Sequence, residues 1–143
     1  MKMLNVFFSL ALMLFGCAGH SQKNSDVVKI EFTSLTRGYS NTLVFTKDSI
    51  TQVVNERGIE SNPRREKIKS TDWELLTASL SNVNLSEVAD LKSPTMKRAY
   101  DGARHSTISI TTSQGTVVAH SFDDEDPHEK LAPLMKTIAK LKQ

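Results

Sequence analysis

One cysteine, Cys17, stands among the 143 residues, which excludes a disulfide framework within a single chain and any zinc site built on several thiolates. Four prolines and six glycines are too few for a collagen-like or low-complexity chain. Beyond the first residues there is no apolar run near 18 residues, so no later segment is read as a transmembrane helix. Charge of one sign is lacking too: 18 Lys plus Arg face 16 Asp plus Glu, a net +2. Nucleic acid is not an expected partner on that balance. The G-x-S-x-G, H-E-x-x-H, P-loop and Rossmann signatures are all missing. No enzyme activity, cofactor or metal is expected.

What is present begins with an address. Residues 1–17 read MKMLNVFFSLALMLFGC, with a basic start at Lys2 and an apolar stretch from Leu4 to Phe15, the pattern of a secretory signal too short to span a bilayer of about 30 Å. Its end, Leu14-Phe15-Gly16-Cys17, resembles the bacterial lipobox. That resemblance implies cleavage before Cys17 and acylation of the thiol and the new amine. Two or three acyl chains anchor stably, at about 0.8 kcal/mol for each buried methylene. Membrane contact is thus expected through Cys17 alone, with 1–16 a signal peptide and 17–26 a lipidated tether. Ala18 is not the Asp associated with inner-membrane retention in enteric bacteria, which points to the outer membrane, facing the periplasm. Removing the leader leaves 127 residues, enough for one domain over 27–143, and a monomer is expected.

Within that domain, Val28, Ile30 and Phe32 alternate with Lys29, Glu31 and Thr33, the period of a half-buried strand. Arg37 to Asn41 reads as a turn, followed by strands at 42–46, 50–55 and, charged as an edge would be, 66–69. Thr71-Asp72-Trp73-Glu74 fits a capping box, opening a helix whose Trp73, Leu76, Leu80 and Val83 form one stripe. Leu85 to Leu91 reads as a short helical turn, stopped at Ser93-Pro94. Strands at 105–111 and 116–122 make a hairpin. Asp126 is placed as an N-cap ahead of Pro127 and Glu129, and Leu131, Leu134, Ile138 and Leu141 stripe a last helix, with Pro133 near its regular start. The order predicts an α+β fold, an antiparallel sheet of about five to six strands with two helices on one face.

Two clusters could carry chemistry. Asp123, Asp124, Glu125, Asp126 and Glu129 suit a hard cation such as Ca²⁺, although the spacing is not that of an EF-hand. The segment from Lys97 to His105 concentrates Lys97, Arg98, Tyr100, Asp101, Arg104 and His105, and with Arg37 and Tyr39 it forms a candidate binding surface of the Arg/Tyr type. As a plain loop it would pair Asp101 with Arg98 or Arg104. The four histidines are read as exposed or hydrogen-bonded. A small hydrolase using His105 and Asp101 would need those side chains within about 3 Å.

Thr36-Arg37-Gly38-Tyr39, the Trp73 helix, Tyr100-Asp101-Gly102-Ala103 and Phe122-Asp123 before the Pro127 to Ile138 helix together resemble a group of small uncharacterised lipoproteins of Bacteroidota-type bacteria. That resemblance spans roughly residues 27 to 142 and implies a location without an activity. The order from Asp101 to Leu141 is also similar to emfourin-type inhibitors of thermolysin-like metallopeptidases. A non-enzymatic, lipid-anchored binding or structural module is the first expectation, and a peptidase inhibitor the second.

Overall fold

The computed structural model describes residues 26–142. The signal peptide, Cys17 and nearly all of the tether lie outside the described residues. Seven strands form one antiparallel sheet: β1 (Val27–Thr36), β2 (Tyr39–Thr46), β3 (Ser49–Glu56), β4 (Ile59–Glu60), β5 (Arg64–Lys67), β6 (His105–Thr112) and β7 (Val117–Asp123). Two helices, α1 (Ser70–Ala78) and α2 (Ala132–Leu141), complete the α+β architecture. The strand order is β4-β3-β2-β1-β6-β7, with β5 also on β3. The two-residue β4 is the strand that sequence patterning does not resolve, and the edge strand begins at Arg64 rather than Glu66.

The meander forms because its turns suit tight reversals. Gly38 has φ 76° between β1 and β2, and Arg57-Gly58 has φ 52° and 83° between β3 and β4, the paired positive angles of a type I′ hairpin. β4 and β5 share one edge of β3, against Asn55–Glu56 and Ser49–Gln52 respectively. All four residues of β5, Arg64-Arg65-Glu66-Lys67, are exposed, and an edge this charged discourages pairing with another chain.

One face of the sheet is apolar. Ile30, Phe32, Leu43, Phe45, Ile108, Ile110 and Phe122 meet Leu76, Leu80 and Val83 from around α1, Leu85 and Val88 from the 85–90 turn, and Leu131, Leu134, Met135 and Ile138 at α2. The other face is lined with hydroxyls, and Thr33–Thr42 and Thr107–Ser121 pair across strands at 3.2 and 3.0 Å.

Val28 departs from the expected face. The ladder between β1 and β6 slips between Val27 and Lys29, so a bulge turns Val27 inward at 4% exposure and leaves Val28 45% exposed. A bulge adds one residue to one strand and inverts the alternation beyond it.

The expected caps are also corrected. α1 starts at Ser70 with Lys69 at its N-cap and no side-chain cap bond. The Lys69 carbonyl takes the Asp72 and Trp73 amides, so the Thr71–Glu74 box does not form. Before α2 the cap of the 129–131 turn is His128, not Asp126. The Asp126 amide instead closes back on the Asp123 carbonyl at 3.0 Å. Pro133 does sit in the first turn of α2, where its missing N–H costs nothing.

The bulge is testable by urea denaturation. Val27→Ala should cost about 1–2 kcal/mol, from roughly 0.8 kcal/mol for each buried methylene. Val28→Ala should stay within about 0.5 kcal/mol. The reverse order would place the bulge elsewhere.

Candidate functional site

The stretch between the 85–90 turn and β6 has little regular structure, yet it is closely held. Its anchor is Asp123, the last residue of β7, with a side chain 3% exposed. The Asp123 carboxylate accepts from the Thr95 hydroxyl, from the Lys97 amide at 2.6 Å and from the Arg98 amide at 3.3 Å. The Arg98 guanidinium adds an ion pair at 2.7 Å and donates also to the Ser93 hydroxyl and the Thr95 carbonyl, both at 3.1 Å. A carboxylate from across the fold therefore organises a 3-10 turn, Lys97–Tyr100, that has no side-chain cap of its own. Burial alone would raise the Asp123 pKa, but the Thr95 and Arg98 side chains and the two amides outweigh it and hold the carboxyl well below its ordinary 3.8.

After this turn the chain leaves in a left-handed residue, Asp101, with φ 58°. Gly102 lies under the Tyr100 ring: a Cβ there would stand 2.7 Å from a Tyr100 ring carbon and 3.2 Å from the Lys97 carbonyl. Tyr100 is consequently propped outward, 72% exposed. Arg104 and Asp124 then bond reciprocally, the Asp124 amide to the Arg104 carbonyl at 2.9 Å and the Arg104 amide to the Asp124 carboxylate at 3.1 Å.

These contacts leave a shallow, open cleft of about 840 Å³ between the end of β1 and this segment, lined by Leu35, Arg37, Arg98, Asp101, Arg104, His105 and Asp124 among others. Of the residues expected to form a binding surface, Arg37, Arg98, Asp101, Arg104 and His105 meet here. Tyr100, which stands over Gly102, Tyr39, at the start of β2, and Lys97 do not line the cleft, and Tyr39 belongs to a strand rather than a turn. Arg98 lines the cleft while its guanidinium is held on Asp123. Asp101 pairs with neither Arg98 nor Arg104 but with Arg37, at 3.5 Å and with both side chains almost wholly in solvent. An exposed pair of that length contributes little, so Arg37 is free to engage a ligand.

His105 lines the same cleft, but no hydrogen bond joins it to Asp101, whose carboxylate is turned to Arg37. The acidic run disperses likewise: Asp123 to Arg98, Asp124 to Arg104 and Glu125 to Lys142 at 2.7 Å. Among the described residues no three His, Cys, Asp or Glu side chains gather as a metal site.

Sequence reasoning missed Asp123, which it absorbed into the acidic run, and His120. The latter was legible: alternation along β7 puts His120 on the face of Phe122, and the ring is 2% exposed and stacked on Phe122 at 5.5 Å. Burial, aided by the nearby His128 and Arg98 charges, lowers its pKa from 6.5 against the Leu91 carbonyl, which acts to raise it.

No family model, curated protein or solved structure matches this chain.

Asp123→Asn keeps the shape but removes the charge, and should lower Tm by about 10 °C, since a cation left in a dry site is strongly destabilising. Arg37→Ala should move Tm by less than about 2 °C. Differential scanning calorimetry separates the two, and equal effects would remove Asp123 from its central place.

Stability should also fall in two steps on acidification. A group with a depressed native pKa is protonated more readily in the unfolded chain, so its contribution is whole above the ordinary value and is lost below it. His120 therefore weakens the fold as pH drops below about 6.5, and Asp123 as it drops below about 3.8. His120→Gln should abolish the upper step in thermal melts across pH and leave the lower one.

Proposed function

We propose that the protein is a lipoprotein of the bacterial cell envelope, anchored by acyl chains on Cys17, whose domain is a non-enzymatic binding module presenting the Arg37–Arg104 cleft to an envelope partner. The observation that carries this reading is where the cleft lies. The chain enters β1 beside the turn between β6 and β7, the Asp26 carbonyl accepting from the Ser113 amide at 2.7 Å. The cleft is at the opposite end of β1, about 30 Å away at roughly 3.3 Å per strand residue. An anchor on the tether thus leaves the cleft at the far end of the domain.

The lining suits recognition rather than catalysis. Arg37 and Arg104 in the lining provide the planar guanidinium contacts favoured at binding surfaces, and His105 has no acid among the described residues hydrogen-bonded to it for general base work. An inhibitor reading would be favoured by an extended loop with few internal contacts. The 93–104 segment is instead tied down by Asp123 and Arg98. Among the described residues no helix is long and apolar enough to cross a membrane, which leaves attachment to Cys17. The likeness to small Bacteroidota-type lipoproteins supports the same location, and the residue after Cys17 favours the outer membrane, with the domain in the periplasm as a monomer.

Two measurements test the reading. Wild type should incorporate labelled palmitate and sediment with membranes, whereas Cys17→Ser should do neither; a soluble, unlabelled wild type would remove the anchor. Pull-down from crosslinked envelopes should lose its main partner in an Arg37→Ala/Arg104→Ala variant, and partner sets identical to wild type would remove the surface.

A further inference from the structure

Behind the cleft, the chain contains a second arrangement of titratable groups that the binding reading does not use. The His128 amide donates to Nε2 of His120 at 3.3 Å, and the Lys130 amide donates to Nδ1 of His128 at 3.3 Å. The Leu91 backbone also acts on the His120 ring, favouring its charged form. Two imidazoles in series thus join β7 to the turn that starts α2. Outside them, Lys130 and Glu87 tie that turn to the 85–90 stretch with an ion pair at 3.0 Å.

The series works only with neutral rings. A neutral imidazole has one acceptor nitrogen and a protonated one has none, so each proton added removes a bond to a backbone amide. For His120 the Leu91 backbone favours a charged ring, but burial and the His128 and Arg98 charges disfavour it more. From the turn before α2 it faces His128, from the 97–100 turn it faces Arg98, and from β6 its cross-strand partner is Ile108. Asp123 is committed to Arg98 and its loop, and Glu87 to Lys130. Among the described residues no carboxylate hydrogen-bonds the His120 ring.

We propose that His120 forms an acid-sensitive clasp: neutral, its ring fastens the start of α2 to β7 by accepting the His128 amide, and on protonation it gives up that bond and releases the start of α2. A charged His120 also repels Arg98, which ties the 93–98 segment to Asp123 and lines the cleft. The inference goes beyond the binding reading and requires no ligand and no membrane anchor.

Hydrogen exchange of the full chain in detergent, read by mass spectrometry at about pH 7.5 and about pH 5 and corrected for intrinsic rates, tests it directly. Peptides covering 126–134 should exchange about tenfold faster at the lower pH, while those of β1 and β2 keep their protection. His120→Gln cannot take up the proton, and in it the two pH values should give the same protection. Equal protection in wild type, or a pH response retained by His120→Gln, would overturn the clasp. Should the variant not fold, nitrogen-15 spectra of the wild type decide: the His120 ring must titrate below 6.5 and the amide of His128 must shift with it. An amide that stays still while the ring titrates would equally end the proposal.

Discussion

A carboxylate withdrawn from water at the end of β7 sets the arrangement of the functional end of this domain. Asp123 is the point where an irregular chain of about a dozen residues is fastened to a regular sheet. Its partners are two backbone amides, one hydroxyl and one guanidinium, so that the lone pairs of both oxygens are used and the charge is matched. Burying a lone carboxylate would be strongly unfavourable. With these partners the same burial becomes a constraint on geometry, because every donor belongs to the segment between Ser93 and Arg98. The cleft wall follows from that constraint, and so does the outward stance of Tyr100, which rests on Gly102 just beyond the fastened turn.

The apolar core does a separate job. It fixes the sheet and the helices through shape and burial, with Ile30, Phe32, Phe45, Ile108, Phe122, Leu131, Leu134 and Ile138 fully enclosed, and the sheet sets β7 one strand away from β1, across β6. Hydrophobic burial has no direction of its own. Direction at the cleft end comes from polar contacts: Asp123 for the 95–98 segment, Arg104 with Asp124 beside it, and His120 for the turn before α2. Each of these depends on a charge state, whereas the core does not. Changes of pH are thus expected to reach the cleft end before they reach the sheet.

This division explains what the sequence could and could not show. The strand alternation and the Leu131-Leu134-Ile138-Leu141 stripe are written in periodicity, and they led to the correct α+β order because burial of one face is a local pattern repeated along each element. The bulge at Val27 was hidden, since it arises from the pairing of β1 with β6, more than seventy residues on. Caps were misplaced at Thr71 and Asp126 because several residues competed for the role and the tertiary setting chose Lys69 and His128. Arg37, Asp101, Arg104 and His105 were legible as a surface through their crowding of charge and turn residues. The second role of Arg98 was not legible, because it depends on one carboxylate distant in the chain and concealed within an acidic run.

Carbon-13 spectra of the Asp123 carboxyl, recorded with the amide signals of Lys97 and Arg98 as pH is lowered, measure the central interaction at its source. The account predicts a midpoint well under 3.8, with both amides moving in that single step. A carboxyl that titrates at or above 3.8, or amides indifferent to its protonation, would contradict it.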